Sequence, residues 1–312
     1  MKIIALSVRP GILERIKAVA PEAQVVPCST KEELEANIGD ADVLVGWGNI
    51  MTPQLLTQAR KLSWIHVFMA GVDSLVSPEL SATPAVLTNS RGVHAIPIGE
   101  HVTAMMLAFE RGLPTLLRQQ LEHRWNRLKL RELNGGTLGL VGYGGLGHEI
   151  AWRAQALGMK VIAVRKNPKP GDEVETWPLE RLTDLFATAD HIVACIPLTK
   201  ESRHLIGERQ FQAMKPDAYF YNVGRGPVVD EAALIAALRE KRLAGAGLDV
   251  FEDEPLPADS PLWDMPNVIV SPHNSPSTPR QDERVAALFL ENLRRYRAGE
   301  PLLNVVDKTA GY

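Results

Sequence analysis

Two cysteines, Cys28 and Cys195, are all that the 312 residues contain. They lie far apart and without metal-ligand spacing, so a reducing, cytoplasmic setting is expected. Charge of one sign is lacking too. The 34 Lys and Arg against 37 Asp and Glu leave a formal net charge of −3, too little for an electrostatic footprint on a nucleic-acid backbone or an anionic bilayer. No apolar run approaches the roughly 18 residues of a membrane span. The opening MKIIALSV is shorter than a signal-peptide core, lacks a small-residue cleavage site and is cut off by Arg9-Pro10-Gly11, so it reads as a first strand. Solenoid repeats and low-complexity tracts are missing as well. Nucleic acid and membrane are therefore not expected as partners. A small molecule is.

What is present is ordinary globular composition, 45% hydrophobic and 23% charged, long enough for two compact cores. The first third alternates β-branched runs with amphipathic stretches: KIIALS, GILERIKAVA, AQVVPC, STKEELEANI, DVLVGW, TPQLLTQARK, LSWIHV. Thr30 followed by Glu33 is a capping-box start, and strands separated by single helices imply parallel pairing. From about Ile96 a nearly uncharged helical stretch follows, then a Leu- and Arg-rich helical stretch running to Leu128. The first reads as buried between domains or subunits. A second α/β series begins at GTLGLVGYGGLG and ends at NVIVSPH, and RQDERVAALFLENLRRYRAGE reads as a helix returning to the first domain.

LVGYGGLG places Gly142, Gly144 and Gly147 in the G-x-G-x-x-G spacing, after an apolar strand and before a helix, with Gly145 and Leu146 in the same turn. Such a turn admits a pyrophosphate at the helix N-terminus, and the pattern points to a dinucleotide. About twenty residues on, where a carboxylate would bind a ribose diol, stand Arg165 and Lys166. A guanidinium cannot accept from a diol but offers a forked donor set to a phosphate. NADP(H) is the expected cofactor, with NAD possible; the alternative is a merely solvated strand end.

Three polar residues follow late strands: Arg225 in NVGRGPVVD, Glu254 in LDVFEDEPLP and His273 in VIVSPHNSPS. Each alone has a structural reading, as surface Arg, loop Glu or packed His. Together they suit hydride transfer to a 2-oxo acid. An imidazole supplies the proton to the carbonyl oxygen, a carboxylate on its second nitrogen orients it, and a bidentate Arg holds the substrate carboxylate. The other histidines, His66, His94, His101, His123, His148, His191 and His204, form no metal motif, and no metal is expected.

GLVGYGGLG, IPLTKESRHLIG, NVGRGPVVDEAALIAAL, GAGLDVFEDEPLP and VIVSPHNS, in this order, resemble the D-isomer-specific 2-hydroxyacid dehydrogenase family, through nearly the whole chain. The resemblance implies an α/β fold of two doubly wound parallel sheets, a Rossmann cofactor domain (98–276) inserted in a flavodoxin-like substrate domain (1–97 and 277–312). It implies Arg225, Glu254 and His273 as the catalytic set. It also implies substrate-carboxylate binding by the backbone of Gly71 and Val72, and cofactor contacts from Pro197, Thr199 and Asp249. For Asp249 a strand-end cap is the alternative. Glu100 and His101 read as structural; Trp47, Phe68 and Met69 read as pocket lining or plain core. Two departures stand out: Arg165 replaces the usual acid, and Asn274-Ser275-Pro276-Ser277 follows the histidine where small apolar residues and glycine are usual.

The leading expectation is an NADPH-preferring reductase of small 2-oxo acids, glyoxylate or hydroxypyruvate, to D-2-hydroxy acids. Its alternatives are an NAD-dependent dehydrogenase with another substrate, or a dinucleotide-sensing corepressor-like protein. A cleft closing over the substrate is expected. So is a homodimer, because Leu116, Leu117, Leu121 and Trp125 would otherwise be exposed.

Overall fold

The computed structural model describes residues 1–47, 52–72, 75–309 and 311. Two compact units divide it: Met1–His94 with Thr278–Tyr312, and, lying between these segments in the sequence, Ala95–Ser277. No helix among the described residues is long and apolar enough to cross a membrane.

The smaller unit is built on a five-stranded parallel sheet in the order β2-β1-β3-β4-β5, from β1 (Lys2–Leu6), β2 (Gln24–Cys28), β3 (Val43–Gly46), β4 (Trp64–Val67) and β5 (Val86–Asn89). Strand alternation gives each face its own core. Ile4 and Leu6 of β1 enter a cluster with Leu34 and Leu80, while Ile3 and Ala5 enter one with Ile16 of α1 (Pro10–Val19) and Val285, Phe289 and Leu293 of α11 (Gln281–Ala298). The chain end adds an antiparallel bridge, Val305 to Thr88, on the outer strand.

The larger unit carries seven parallel strands in the order β12-β11-β10-β9-β6-β7-β8. These are β6 (Thr137–Val141), β7 (Lys160–Val164), β8 (Glu175–Trp177), β9 (His191–Ala194), β10 (Tyr219–Asn222), β11 (Gly245–Leu248) and β12 (Val268–Val270). Both faces are covered, as parallel sheets require. Helices α8 (Leu182–Thr188) and α10 (Glu231–Arg239) contribute Leu185, Phe186, Leu234 and Leu238 to one core. On the other face, α5 (Ala95–Glu110) and α7 (Gly145–Ala156) contribute Val102, Met105, Ile150 and Ala154. After β8 the chain returns to the opposite side of β6, so the strand order reverses between β6 and β9. Open α/β sheets bind their ligands outside the strand C-termini at such a reversal.

One local expectation is corrected, and two details are added. The Leu- and Arg-rich helix α6 (Leu113–Leu121) stops well short of Leu128. His123 takes φ 55°, its N–H donates to Gln120 O and that of Arg124 to Gln119 O. These two bonds make a Schellman stop with a histidine where glycine is usual, so no glycine marks it in the sequence. The three-residue edge strand β8 follows a Pro-, Gly- and charge-rich stretch that carries no strand pattern. Phe68 is core, 1% exposed and edge-on to both Phe289 and Trp47.

His66 of β4 is fully buried among Trp64, Phe68 and Phe289, its Nδ1 2.8 Å from Thr88 Oγ1 and its Nε2 3.4 Å from Ser90 Oγ. Burial pushes its pKa down to about 3. Between its unfolded value and that figure the unfolded chain therefore binds one proton more, and stability falls on acidification by about 1.4 kcal/mol per pH unit. Urea unfolding at pH 5.5 and 4.5 is expected to show that slope reduced by this amount in His66→Gln.

Candidate active site

At the strand reversal, Gly142 follows β6 with φ 106°, a region L side chains rarely adopt, and donates its N–H to Val164 O (2.9 Å) at the end of β7. A Cβ there would come within 2.6 Å of Ile196 Cγ2 beyond β9. A Cβ on Gly147 would lie 2.7 Å from Gly142 O, so the first turn of α7 packs directly on the glycine turn. Gly144 is the N-cap of α7 and no side chain caps it; a Cβ on Gly144 or Gly145 would meet only open space. The result is a twelve-residue helix whose uncapped N–H groups face a clear approach, a cradle that fits a dinucleotide pyrophosphate.

Arg165 begins where β7 ends, beside this turn. Its backbone N–H joins β8 through Trp177 O (3.0 Å), and its Nη1 donates to Asp172 Oδ1 (2.9 Å). Lys166 is exposed. Pro197 and Thr199 lie beyond β9 in a turn knotted by Ser202. The Ser202 hydroxyl accepts from Thr199 N (2.7 Å) and donates to Pro197 O (2.8 Å), and Thr199 Oγ1 accepts from Ser202 N (3.2 Å).

Arg225, Glu254 and His273 follow β10, β11 and β12, three neighbours in the sheet. Asn222, the last residue of β10, shapes the first loop. Its amide donates to Arg225 O (3.1 Å) and its carbonyl accepts from Gly224 N (3.1 Å), while Arg225 Nη1 donates to Gly224 O (2.9 Å). A Cβ on Gly226 would lie 1.7 Å from Phe251 O, so the Arg225 loop and the Glu254 loop touch backbone to backbone. In the second loop, Glu254 Oε1 accepts from Phe251 N (3.1 Å) and the Glu252 N–H donates to Glu231 Oε2 (3.1 Å). Burial raises the Glu231 carboxyl above its ordinary range.

His273 Nδ1 stands 2.7 Å from Glu254 Oε2. Both side chains keep about two-fifths of their surface exposed, 43% and 35%, so ring and carboxylate are open to a ligand. The histidine backbone is in the left-handed region (φ 49°), which His tolerates better than most residues and which is enriched at functional positions. Asp249 imposes that conformation. Its carbonyl accepts the His273 N–H (2.8 Å), and its fully buried carboxylate accepts from Asn274 N (2.8 Å), Ser275 N (3.1 Å) and the Ser271 hydroxyl. His101 Nε2 of α5 lies 3.8 Å from the same carboxylate. Asp249 thus anchors the loop that carries His273.

Gly71 and Val72 belong to the smaller unit. The carbonyls before them are clamped by Asn89 Nδ2 (2.6 Å to Ala70 O) and Ser90 N (2.9 Å to Met69 O), and Val72 is buried in that unit's core. Asp73 and Ser74 of the same loop lie outside the described residues. Sequence reasoning missed Asn222, Asp172 and the donors Ser271, Asn274 and Ser275. Asn222 sits directly before the glycine-flanked arginine, the one signal available for it. Asp172 stands in a loop with nothing to tie it to Arg165 except the fold.

Gly226→Ala is expected to force the Arg225 and Glu254 loops apart, lowering kcat/KM by about 10²-fold, the effect of a displacement of about 1 Å at a reacting centre. Steady-state kinetics alongside a thermal melt would separate this from global unfolding.

Residues 103–275 match the family model for the D-isomer specific 2-hydroxyacid dehydrogenase NAD binding domain. D-3-phosphoglycerate dehydrogenase of Methanocaldococcus jannaschii is 35% identical over 92% of this chain; the chain spans about half, 55%, of that longer relative. A D-isomer specific 2-hydroxyacid dehydrogenase from Xanthobacter autotrophicus, solved with NADPH and MES, is 33% identical with a TM-score of 0.88, covering 100% of this chain and 99% of its own. An NADPH-dependent glyoxylate/hydroxypyruvate reductase from Sinorhizobium meliloti, solved with NADP and sulfate, is 29% identical with a TM-score of 0.87 over the same shares. A match across more than half the chain, on a cradle shaped for a pyrophosphate, makes this chain a member of the D-isomer specific 2-hydroxyacid dehydrogenase family, an oxidoreductase that uses a nicotinamide dinucleotide.

Proposed function

We propose that the chain is an NADPH-preferring reductase of small 2-oxo acids of the glyoxylate and hydroxypyruvate type, forming D-2-hydroxy acids. The observation that carries this reading is the 2.7 Å contact of His273 Nδ1 with Glu254. A carboxylate on Nδ1 fixes the ring's orientation and leaves Nε2 as the nitrogen that faces a ligand and can carry the proton. A bound reduced nicotinamide supplies the hydride. His273 Nε2 delivers a proton to the carbonyl oxygen as charge develops there, and Glu254 stabilises the cation until that transfer. Arg225, on its braced loop, holds the carboxylate of the 2-oxo acid by charge-assisted hydrogen bonds of about 1.5–3 kcal/mol. Pro197 and Thr199 flank the cofactor in this reading, and the Asp249 carboxylate acts mainly through the His273 loop.

Arg165 and Lys166 support the NADPH preference, as forked and point donors for a 2′-phosphate at the end of the second cofactor strand. One observation favours NAD as the second reading: Arg165 Nη1 already donates a hydrogen bond to Asp172 Oδ1. Relatives that include glyoxylate reductases and a glyoxylate/hydroxypyruvate reductase support glyoxylate and hydroxypyruvate as the first acids to test. Turnover of a panel of 2-oxo acids with each reduced nicotinamide tests the reading. In the same assay His273→Ala is expected to lose about 10²- to 10⁴-fold in kcat while binding NADPH nearly as before. Turnover unchanged in that variant would end the proposal.

The homodimer is part of the same proposal. Leu117, Leu121 and Trp125 are 61%, 81% and 96% exposed, an apolar surface that a second copy would cover. Sedimentation velocity is expected to give twice the monomer mass, and Leu121→Asp with Trp125→Asp to give the monomer.

A further inference from the structure

The loop between β7 and β8 carries the cations Arg165, Lys166 and Lys169 and then a carboxylate, Asp172, folded back onto the first of them. Asp172 Oδ1 accepts from Arg165 Nη1 at 2.9 Å; Oδ2 accepts from Lys169 N at 3.0 Å and from Thr176 Oγ1 at 3.1 Å. The two side chains are 20% and 9% exposed. The carboxylate is therefore fixed by the loop and cannot swing away when an anion approaches the guanidinium. These hydrogen bonds and Arg165 hold Asp172 below the usual carboxylate range, hence ionised. The surroundings repeat the pattern. His148, in the first turn of α7, stacks on Tyr143 of the glycine turn and lies 3.7 Å from Glu173. The Tyr143 hydroxyl is buried with no hydrogen-bond partner among the described residues.

We infer that Asp172 is a specificity-determining residue for the adenosine end of the dinucleotide: it orients Arg165 and at the same time weakens that cation's hold on a 2′-phosphate, so that the diol form remains a usable ligand. The inference rests on the assignment of Arg165 to the 2′-phosphate. Two effects of opposite sign decide its direction. Asp172 pre-orients the guanidinium, which favours any anion that docks there. It also repels a group carrying nearly two negative charges from a position next to the docking point. An Asn at 172 keeps an acceptor for Arg165, so most of the orientation survives while the repulsion goes. The electrostatic part therefore dominates, on the order of five- to tenfold in affinity even with solvent and salt screening. Asp172 lies in the loop beyond the strand end, but its contact with Arg165 brings a carboxylate acceptor, the kind a ribose diol uses, next to that position.

Calorimetric titration of the full chain with 2′,5′-ADP and with 5′-AMP tests this without turnover. Asp172→Asn is expected to bind 2′,5′-ADP about five- to tenfold more tightly and 5′-AMP equally or more weakly. Glu173→Gln, which removes a neighbouring charge not on Arg165, is expected to change the ratio less than twofold. Unchanged or weaker 2′,5′-ADP binding in Asp172→Asn overturns the inference. Asp172→Ser is the second uncharged variant, and failure of both to fold would leave Asp172 a loop clasp and overturn it equally. Arg165→Asp separates the two layers: if it leaves 2′,5′-ADP binding intact, the NADPH assignment itself fails, whatever Asp172 does.

Discussion

A buried carboxylate that takes its hydrogen bonds from the loop carrying the site's histidine is the constraint on which the site depends. Asp249 sits at the end of β11 with 1% exposure. An ion so placed is tolerable only if hydrogen bonds replace its water. The Ser271 hydroxyl and the N–H groups of Asn274 and Ser275 do so, and the Asp249 carbonyl takes the N–H of His273. These bonds hold the segment after β12 with His273 in a left-handed backbone state and its ring against Glu254. Two of these donors are the backbone N–H groups of Asn274 and Ser275, which any residue but proline would supply, so the clamp does not depend on the Asn-Ser-Pro-Ser departure from the family pattern.

The parallel sheet does the rest of the positioning. Neighbouring parallel strands lie about 4.8 Å apart, so residues just past the ends of β10, β11 and β12 are neighbours although tens of residues separate them in sequence. That crowding sets the glycines. Gly226 leaves room for Phe251 O, and Gly147 leaves room for Gly142 O. The same glycines that look like a phosphate motif or a flexible arginine loop are places where two backbones meet. The electrostatics follow a similar economy, with three cations or proton carriers each facing a carboxylate: Arg165 with Asp172, His273 with Glu254, His204 with Glu252.

Much of this was legible in one dimension because parallel strands, covered on both faces, are written as short β-branched runs and their helices as amphipathic ones. The glycine spacing announced its turn, and the strand-end residues Arg225, Glu254 and His273 announced chemistry. What stayed hidden was hidden for definite reasons. The Schellman stop at His123 uses a residue that helices also contain. The edge strand β8 is three residues long and gains its place only by pairing with β7. Phe68 offered no sign of whether an aromatic after a strand lines a pocket or fills a core; Phe289, more than two hundred residues away, decided it.

Local pattern and chemistry thus determined the fold class, the dinucleotide turn and the identity of the polar trio, because period, spacing and residue type are properties of adjacent residues. Tertiary structure alone decided what each polar group faces. Arg165 meets Asp172 rather than open solvent, and Asp249 meets the loop beyond His273, because a side chain's partner is set by which backbone segments the sheet brings together, and that distance is not written along the chain.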